Sequence, residues 1–343
     1  MRQSIKPILT IAIFTFAFAH CSHKPLELHG STMGTSYSVK VRDPGKVDSA
    51  ALKEEIDSLL HSVDYRFSNW QKDELFRLNE SNVGQVFRPS GDFCKVLAES
   101  QHLWQLTNGR FDPTIGELID LWGFGPTERT GEPDDATIKA ALGRAGFPSL
   151  GLKIDGSTCT IQKKSSLTLN LSAIAKGYGV DRVAQLLLQK GIRDFMVEIG
   201  GEVRTGPDGS FRIGIERPNY DGTRSLYAVL ESRNQCIATS GNYRNFFKKD
   251  GYIHSHILDP FSGKPTPSRI QSATIVGPNC LTADGLATAA MLSTPEETAE
   301  VLKQMKGNYE YLILESGTLK DEDTNFEVQE YSSPGIQSMR VPL

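Results

Sequence analysis

The residues best suited to chemistry stand where an alternating segment meets a helix that opens on small side chains. Residues 167–178 read Leu-Thr-Leu-Asn-Leu-Ser-Ala-Ile-Ala-Lys-Gly-Tyr, which predicts a strand running into a helix. Small side chains at a helix N-terminus leave its free backbone N–H groups open to a ligand, and their partial positive charge favours phosphate. Lys176, expected in the first turn, adds a full positive charge. The segment therefore predicts a phosphate-binding site.

A second segment, Leu281-Thr-Ala-Asp284-Gly-Leu-Ala-Thr288, places a carboxylate and a hydroxyl four residues apart. On a helix this spacing puts both groups on one face. Magnesium prefers oxygen ligands and usually takes one or two protein carboxylates together with phosphate oxygens and water. Beside a phosphate site, Asp284 and Thr288 therefore suit a divalent cation. Taken alone, the same spacing is also typical of an Asp near a helix start and a Thr bonded back to its own helix.

Two further groups of polar residues admit both a functional and a structural interpretation. His256 lies three residues before Asp259, a spacing that allows an imidazole–carboxylate pair. A neutral imidazole could take a proton from an incoming hydroxyl, or the histidine could belong to an ordinary strand. Glu198 and Glu202 flank a Gly-Gly pair, which either admits a ligand closely or forms a tight turn with solvated carboxylates.

Composition and motifs exclude several classes of protein. The chain has 343 residues, 38% of them hydrophobic and 23% charged, which is typical of an ordinary soluble globule. With a net charge of −4 the sequence gives no indication of a basic surface, so no nucleic-acid partner is predicted. The sequence contains neither G-x-x-x-x-G-K-[ST] nor G-x-G-x-x-G, so neither a P-loop nor a Rossmann site is predicted.

The N-terminus carries the pattern of an export signal. Arg2 and Lys6 precede an almost wholly apolar run over residues 8–19 that is too short for a stable membrane anchor, and Cys21 follows. We predict a signal peptide over residues 1–20, lipidation of Cys21, a tether over residues 21–30 and a single domain over residues 31–343. The protein would then sit on the periplasmic side of the inner membrane through its lipid anchor. Plain secretion is the alternative, because the residues just before Cys21 depart from the usual lipoprotein pattern.

The four remaining cysteines show no metal-binding arrangement. Cys94, Cys159, Cys236 and Cys280 form no C-x-x-C pair and no zinc-type spacing. Export would permit disulfides, but the spacings do not select a connectivity. Buried free thiols are the simpler interpretation.

Strand-like runs punctuated by helices predict an α+β domain rather than a doubly wound parallel sheet. The predicted helices span 49–63, 92–106, 134–142, 173–189, 281–292 and 295–305, with Ser49 as a possible cap of the first. The predicted strands span 36–41, 151–171, 195–199, 211–216, 225–231, 235–240, 252–258, 272–277 and 309–314. Residues 123–133, rich in Gly, Pro and Thr, predict a loop. These elements must bring the lysine segment and the aspartate segment together.

Six segments occur in a recognisable order along the chain. They are Gly30-Ser-Thr-Met-Gly-Thr-Ser-Tyr-Ser-Val39, Arg110-Phe-Asp-Pro-Thr-Ile-Gly116, Ser172-Ala-Ile-Ala-Lys-Gly-Tyr178, Glu198-Ile-Gly-Gly-Glu202, His256-Ile-Leu-Asp-Pro260 with Ser262-Gly263, and the segment from Asp284 to Thr288. In type and order they resemble the ApbE family, flavin transferases that take FMN from FAD. The resemblance implies one large α+β domain of the ApbE type, similar to a T-fold, with mixed or antiparallel sheets and packed helices.

The resemblance also implies roles for individual residues. Magnesium would be held by the backbone carbonyl of Ala173 and by the side chains of Asp284 and Thr288. His256 and Asp284 would be the catalytic residues. The residues expected to contact FAD are Met33, Trp70, Arg110, Phe111, Asp112, Asn170, Lys176 and Ile257. Asn170 stands where the family usually has Asp, which removes a charge from that contact. On residue type alone, Met33 and Trp70 also suit packing in a hydrophobic core.

The function implied by the resemblance is that of a magnesium-dependent FAD:protein FMN transferase. Such an enzyme moves FMN from FAD onto a Thr or Ser hydroxyl of an acceptor protein and releases AMP. The acceptor would be a flavoprotein subunit, as in a redox-driven membrane complex. Two alternatives stay open on the sequence: an FAD pyrophosphatase that yields FMN and AMP with water, and a lipid-anchored flavin-binding protein without turnover.

Overall fold

The computed structural model describes residues 24–126, 132–243, 246–249, 251–265, 269–317, 319–320 and 326–343. The predicted signal peptide and the lipidation site Cys21 lie outside the described residues. Part of the predicted loop over residues 123–133 also lies outside them. Within the described ranges, every helix is too short or too polar to cross a lipid bilayer.

Ten helices and sixteen strands occur among the described residues. The helices are α1 Ser49–Phe67, α2 Glu74–Glu80, α3 Gly91–Leu106, α4 Gly116–Leu121, α5 Asp135–Leu142, α6 Phe147–Leu150, α7 Ser172–Gln189, α8 Cys280–Ala290, α9 Pro295–Lys303 and α10 Pro334–Met339. The strands are β1 Leu26–Thr32, β2 Thr35–Val41, β3 Val86–Phe87, β4 Lys153–Asp155, β5 Thr158–Gln162, β6 Phe195–Ile199, β7 Glu202–Thr205, β8 Phe211–Glu216, β9 Leu226–Ser232, β10 Cys236–Gly241, β11 Phe246–Lys249, β12 Tyr252–Ser255, β13 Ile270–Gly277, β14 Glu310–Glu315, β15 Gln329–Ser332 and β16 Arg340–Val341.

Eight strands form the central sheet, in the order β1-β2-β6-β7-β10-β13-β14-β15. Every neighbouring pair in this sheet is antiparallel. Two three-stranded sheets, β16-β9-β8 and β3-β5-β4, and the β11-β12 hairpin complete the strand pairing of the described residues. The predicted α+β fold with antiparallel sheets and packed helices is confirmed.

The central sheet is covered on both faces, by helices on one side and by the β16-β9-β8 sheet on the other. Successive side chains of a strand point to opposite faces. In β10, Ala238 faces the core shared with α1, α3, α7 and α8. Its neighbour Ile237 faces the second core, which includes Phe211, Ile213 and Ile215 of β8. Helices α7 and α8 therefore pack on the central sheet.

The predicted tether over residues 21–30 is wrong from residue 26 onward. Residues Leu26–Thr32 form β1, in which Leu26 lies opposite Val41 and Thr32 opposite Thr35 of β2. Leu28 and Thr32 are buried, whereas Glu27 and His29 are exposed. The segment forms a strand because β2 supplies its hydrogen-bond partners, and its own pattern holds too few apolar residues to show it.

The predicted free thiols are also wrong. Cys94 of α3 is bonded to Cys159 of β5, with the Cα atoms 5.6 Å apart. Cys236 of β10 is bonded to Cys280 at the start of α8, with the Cα atoms 5.2 Å apart. The bonded cysteines are 65 and 44 residues apart in the sequence. They meet only in the folded chain, so the spacings do not indicate which cysteines pair.

Two local predictions need correction as well. The cap of α1 is Asp48 rather than Ser49, since its carboxylate accepts hydrogen bonds from the N–H groups of Ala50 and Ala51. The predicted strand over residues 151–171 exists only as β4 and β5, since residues 167–171 pair only through an isolated bridge between Thr168 and Ile115. The alternating leucines there are all buried, but Asn170 is buried with them, so the segment packs in the interior without forming a sheet ladder.

Candidate functional site

A cavity of about 840 Å³ opens beside α7 and α8 at the edge of the two β-layers. Its walls come from these helices, from β8 and β10, from the β6–β7 turn and from the segments around residues 110–119 and 256–260. Ten of the twelve residues predicted to bind the substrate or the metal or to act in catalysis line it: Arg110, Phe111, Asp112, Asn170, Ala173, Lys176, His256, Ile257, Asp284 and Thr288. The fold thus brings the lysine and aspartate segments to one place.

The charged centre of the cavity is Lys176 with two buried carboxylates. The Lys176 Nζ lies 2.8 Å from Glu202 Oε1 and 3.9 Å from Asp284 Oδ1. Both carboxylate side chains are 3% exposed, whereas the lysine side chain is 28% exposed. Burial alone would lower the pKa of Lys176, but the two carboxylates outweigh it and raise that pKa. The ammonium at the cavity wall is therefore fully charged.

The two carboxyl groups respond to burial in the opposite sense. Burial raises the pKa of Glu202 and of Asp284, and the nearby Lys176 ammonium works against that rise. Glu202 Oε2 is buried and has no hydrogen-bond partner among the described residues. When both carboxyl groups are ionised, the site carries one negative charge more than Lys176 neutralises, which is the electrostatic setting that a cation would relieve. The sequence-based interpretation of Glu202 as a solvated carboxylate is wrong, because its side chain is 3% exposed and bonded to Lys176.

The residues expected to hold a metal lie on α7 and α8, where the two helices pack against each other. Asp284 Oδ2 accepts a 2.8 Å hydrogen bond from the backbone N–H of Gly177. In an α-helix that N–H points towards the carbonyl of Ala173, so the carboxylate and this carbonyl are neighbours. Thr288, one turn further along α8, also lines the cavity, and its Oγ1 lies 3.3 Å from Ser240 Oγ of β10. A carboxylate, a carbonyl and a hydroxyl are ligands suited to a hard cation.

No group of three or more His, Cys, Asp and Glu side chains is arranged to hold a metal in the part of the chain that the structure describes. A cation at Asp284 would therefore depend on backbone, hydroxyl and substrate oxygens. This is how magnesium is commonly bound at phosphate sites.

Close packing of α7 against α8 fixes this arrangement. A Cβ at Gly177 would lie 2.1 Å from the carbonyl oxygen of Cys280, so the helices can approach only because the residue is glycine. Asp181 of α7 accepts hydrogen bonds from the N–H groups of Cys280 and Leu281. These bonds satisfy donors at the start of α8 that have no partner within the helix.

The start of α7 differs in part from the expected phosphate site. Asn170 Oδ1 accepts a 2.9 Å hydrogen bond from the N–H of Ser172, so this donor is already satisfied. Lys176 is the fifth residue of α7 and lies beyond its first turn, contrary to the prediction. Its side chain nevertheless reaches the cavity wall, because Gly200 leaves room beside it.

Residues 110–112 form one edge of the cavity. Arg110 donates from Nε to the carbonyl of Leu292 at 3.0 Å and from Nη2 to Glu297 at 2.7 Å. Asp112 accepts from the N–H and the hydroxyl of Thr114, at 2.8 and 2.6 Å. Burial raises the pKa of Asp112. The turn is thus held in place before any ligand binds.

His256 and Ile257 lie at the opposite edge. The ring of His256 meets that of Phe124 edge to face, with centroids 6.4 Å apart. Asp259 does not serve as the carboxylate partner that the spacing allowed, because it closes the following turn. It accepts hydrogen bonds from the N–H groups of Phe261 at 3.0 Å and Ser262 at 3.2 Å.

Met33 and Trp70 are not among the residues that line the cavity. Met33 packs on the main core, where a Cβ at Gly179 would lie 2.8 Å from its Cε. This contact favours the core-packing interpretation of Met33. Trp70 is 66% exposed, which excludes the core-packing interpretation without placing the ring at the cavity wall.

Sequence reasoning missed two parts of the site. One is the wall formed by residues 213–216 of β8 and 239–241 of β10. The hydroxyls of Thr239 and Ser240, at the end of an otherwise buried strand, are a signal that could have indicated it. The other is the Lys176–Glu202 ion pair, for which no local pattern exists.

Comparison with known proteins agrees with this geometry. The flavin transferase ApbE from Vibrio cholerae has a TM-score of 0.79 and 36% identity, over 92% of this chain and 99% of that one. The flavinyl transferase ApbE of Pseudomonas stutzeri, in its apo form, has a TM-score of 0.76 and 29% identity, over 94% and 98% of the two chains. The fold and the cavity therefore define an enzyme of the transferase class.

Sequence comparison gives the family. The FAD:protein FMN transferase of Vibrio cholerae is 43% identical over 283 residues, which cover 80% of this chain and 84% of that protein. The protein of the same name from Haemophilus influenzae is 36% identical over 316 residues, covering 89% and 91%. The sequence pattern that defines the ApbE family matches residues 33–313. The chain belongs to the ApbE family.

Proposed function

We propose that the protein is an FAD:protein FMN transferase. The observation that carries the proposal is the buried set of Lys176, Glu202 and Asp284 at the wall of a cavity of about 840 Å³. A cavity of that size lies in the range of cofactor-binding pockets. The Lys176 ammonium can neutralise part of the charge of a diphosphate, and a cation held by the Asp284 carboxylate can neutralise more of it. The names of the relatives support FAD as the molecule that contains this diphosphate.

The reaction is a substitution at phosphorus. A Thr or Ser hydroxyl of the acceptor attacks the phosphorus on the FMN side of the diphosphate, a new P–O bond forms, and the P–O bond to AMP breaks. The hydroxyl proton passes to a base, for which His256 at the cavity edge is the candidate. The Lys176 ammonium stabilises the negative charge that develops on the oxygen leaving with AMP.

Magnesium fits the residues that are present. The Ala173 carbonyl, the Asp284 carboxylate and the Thr288 hydroxyl would hold it. When bound, the cation would neutralise phosphate charge as a Lewis acid. The turn at residues 110–112, with Asn170 and Ile257, would contact FAD, and the exposed Trp70 would cover the nucleotide.

Export and lipid anchoring at Cys21 are part of the proposal. The N-terminal sequence supports both, and the Cys94–Cys159 and Cys236–Cys280 disulfides support an oxidising compartment such as the periplasm. The acceptor would then be a flavoprotein subunit on the same side of the inner membrane, as in a redox-driven membrane complex.

The test is to incubate the purified protein with FAD and Mg²⁺, with and without a periplasmic flavoprotein subunit of the same organism as acceptor. AMP that forms only with the acceptor, together with a covalently fluorescent acceptor, supports the transferase. AMP formed equally without the acceptor would instead make the protein an FAD pyrophosphatase. Yellow protein without any AMP would make it a flavin carrier.

A further inference from the structure

The Lys176 ammonium stands between two buried carboxylates but forms a hydrogen bond with one of them. Its Nζ lies 2.8 Å from Glu202 Oε1 and 3.9 Å from Asp284 Oδ1. The first distance is that of a charge-assisted hydrogen bond, and the second is too long for one. The lysine is thus hydrogen-bonded to Glu202 and only near Asp284.

The turn between β6 and β7 fixes Glu202 for this contact. Glu202 is the first residue of β7 and lies opposite Ile199 of β6 in the ladder. Gly200, in the turn, has a φ of +62°, and a Cβ there would lie 3.2 Å from Lys176 Cδ. The glycine lets the turn close on the lysine stem. The β6–β7 hairpin therefore positions the carboxylate beside the lysine.

Glu202 is buried with one of its two carboxylate oxygens unpaired. The residue is 2% exposed, and its Oε2 has no hydrogen-bond partner among the described residues. A buried carboxylate with one unsatisfied oxygen is costly. Its effect on Lys176 explains its position better than a contribution to folding does.

We infer that Glu202 is a positioning residue that engages Lys176 and thereby leaves the Asp284 carboxylate available to a divalent cation. The inference rests on the proposed function, which takes Asp284 as a cation ligand. Without Glu202, Asp284 is the nearest carboxylate to the ammonium. An ion pair between them would have to break before the cation could bind.

Binding of Mn²⁺ to the purified protein without FAD tests this, with free Mn²⁺ measured by its electron paramagnetic resonance signal. The measurement is made above pH 8, because burial raises the pKa of Glu202 to about 8 and its carboxylate is charged above that value. Glu202→Gln removes the charge that holds the lysine. Glu202→Asp keeps the charge but withdraws the carboxylate by about 1.5 Å. We expect both variants to bind Mn²⁺ roughly 10- to 100-fold more weakly, as happens when a supporting partner of a metal site is lost. If Glu202→Asp bound Mn²⁺ like the unaltered protein, the charge would be acting through its field alone and the inference would be overturned.

Two further variants complete the test. Glu55→Gln removes the carboxylate of an exposed lysine pair of similar length, 2.7 Å to Lys190 at the C-terminal end of α7, and should bind Mn²⁺ normally. The double variant Lys176→Met/Glu202→Gln has no lysine to occupy Asp284, so it should recover the lost affinity. A double variant as weak as Glu202→Gln would refute the inference. Thermal unfolding confirms that each variant is folded.

The outcome separates this inference from the proposed function. If the unaltered protein binds no Mn²⁺, the metal site of the proposed function fails. If it binds Mn²⁺ and the Glu202 variants bind equally well, the inference alone fails.

Discussion

The carboxylate of Asp284 accepts a 2.8 Å hydrogen bond from the backbone N–H of Gly177, which lies 107 residues earlier in the chain. This bond joins α8 to α7 at the cavity. It forms because glycine lets the two helices approach until a Cβ at position 177 would lie 2.1 Å from the Cys280 carbonyl oxygen. One contact therefore positions both the candidate cation ligand and the helix that carries Lys176.

Substitution of Gly177 by Ala should separate α7 from α8. Because the added Cβ meets backbone rather than a flexible side chain, we expect a loss of about 1–3 kcal/mol in the free energy of unfolding, and weaker cation binding. Urea unfolding measures the first effect. Gly143→Ala is the matched control, since its Cβ would meet atoms no closer than 3.5 Å. Equal stability of the two variants would contradict the packing argument.

Substitution of Asp284 by Asn should abolish metal-dependent turnover while the fold is kept. The amide oxygen can still accept the Gly177 N–H, but the charge that a cation needs is gone. We expect FMN transfer to fall roughly 10²- to 10³-fold, as when one electrostatic stabiliser is removed from an active site. AMP release measures it, with Asp208→Asn in an exposed pair with Arg193 as control. Normal activity of the Asp284 variant would refute the metal assignment.

The raised pKa of Glu202 predicts how stability depends on pH. Burial raises this pKa, so the folded protein holds a proton that the unfolded chain has released at the same pH. The free energy of unfolding should therefore fall as the pH rises from about 4.3, the unfolded value, through the raised folded value. Glu202→Gln should make that fall shallower, with Asp284 causing the remainder.

Urea unfolding at several values between about pH 5 and about pH 8, without metal or FAD, measures the slope. An equally steep fall in Glu202→Gln would show that another group is responsible.

The two disulfides should differ in their effect on activity. Replacing both cysteines of either pair by Ser should cost about 2–4 kcal/mol in the free energy of unfolding. The Cys236–Cys280 bond joins β10, which carries Thr239 and Ser240, to α8, which carries Asp284. Its loss should therefore also lower transfer activity under conditions where the protein is folded. The Cys94–Cys159 variant is the control, and equal activities would contradict this role.

Trp70 should matter for FAD but not for folding. Because its side chain is 66% exposed, Trp70→Ala should change the free energy of unfolding by no more than about 0.5 kcal/mol. If the ring covers the nucleotide, FAD should bind up to about tenfold more weakly, as expected for one lost aromatic contact. Flavin fluorescence titration measures this. Val83→Ala, another exposed apolar residue, should leave FAD affinity unchanged.

Elements with a strong period-2 pattern are predictable from the sequence. The predicted strands 195–199 and 211–216 coincide with β6 and β8, because every second side chain of these segments enters a core. Strand β1 and the edge strand β15 lack such a pattern. Their identity depends on the hydrogen bonds of a neighbouring strand, which the local sequence does not reveal.

Most of the candidate site is predictable because its segments resemble those of a known family. The Lys176–Glu202 pair is not, since its members lie in different elements and burial of a charged residue depends on a distant partner. The disulfides escape prediction for the same reason. Residues that act through a neighbour, rather than on the ligand, leave no local signature.

The positions of Lys176 and Asp284 along the chain have a consequence for synthesis. The lysine leaves the ribosome long before α8 and the late strand β14, on whose neighbour β13 the helix rests. While the polypeptide is being made, Lys176 is therefore present before the Asp284 carboxylate and before the strands on which α8 packs. The cavity wall is therefore complete only when residue 292 has been made.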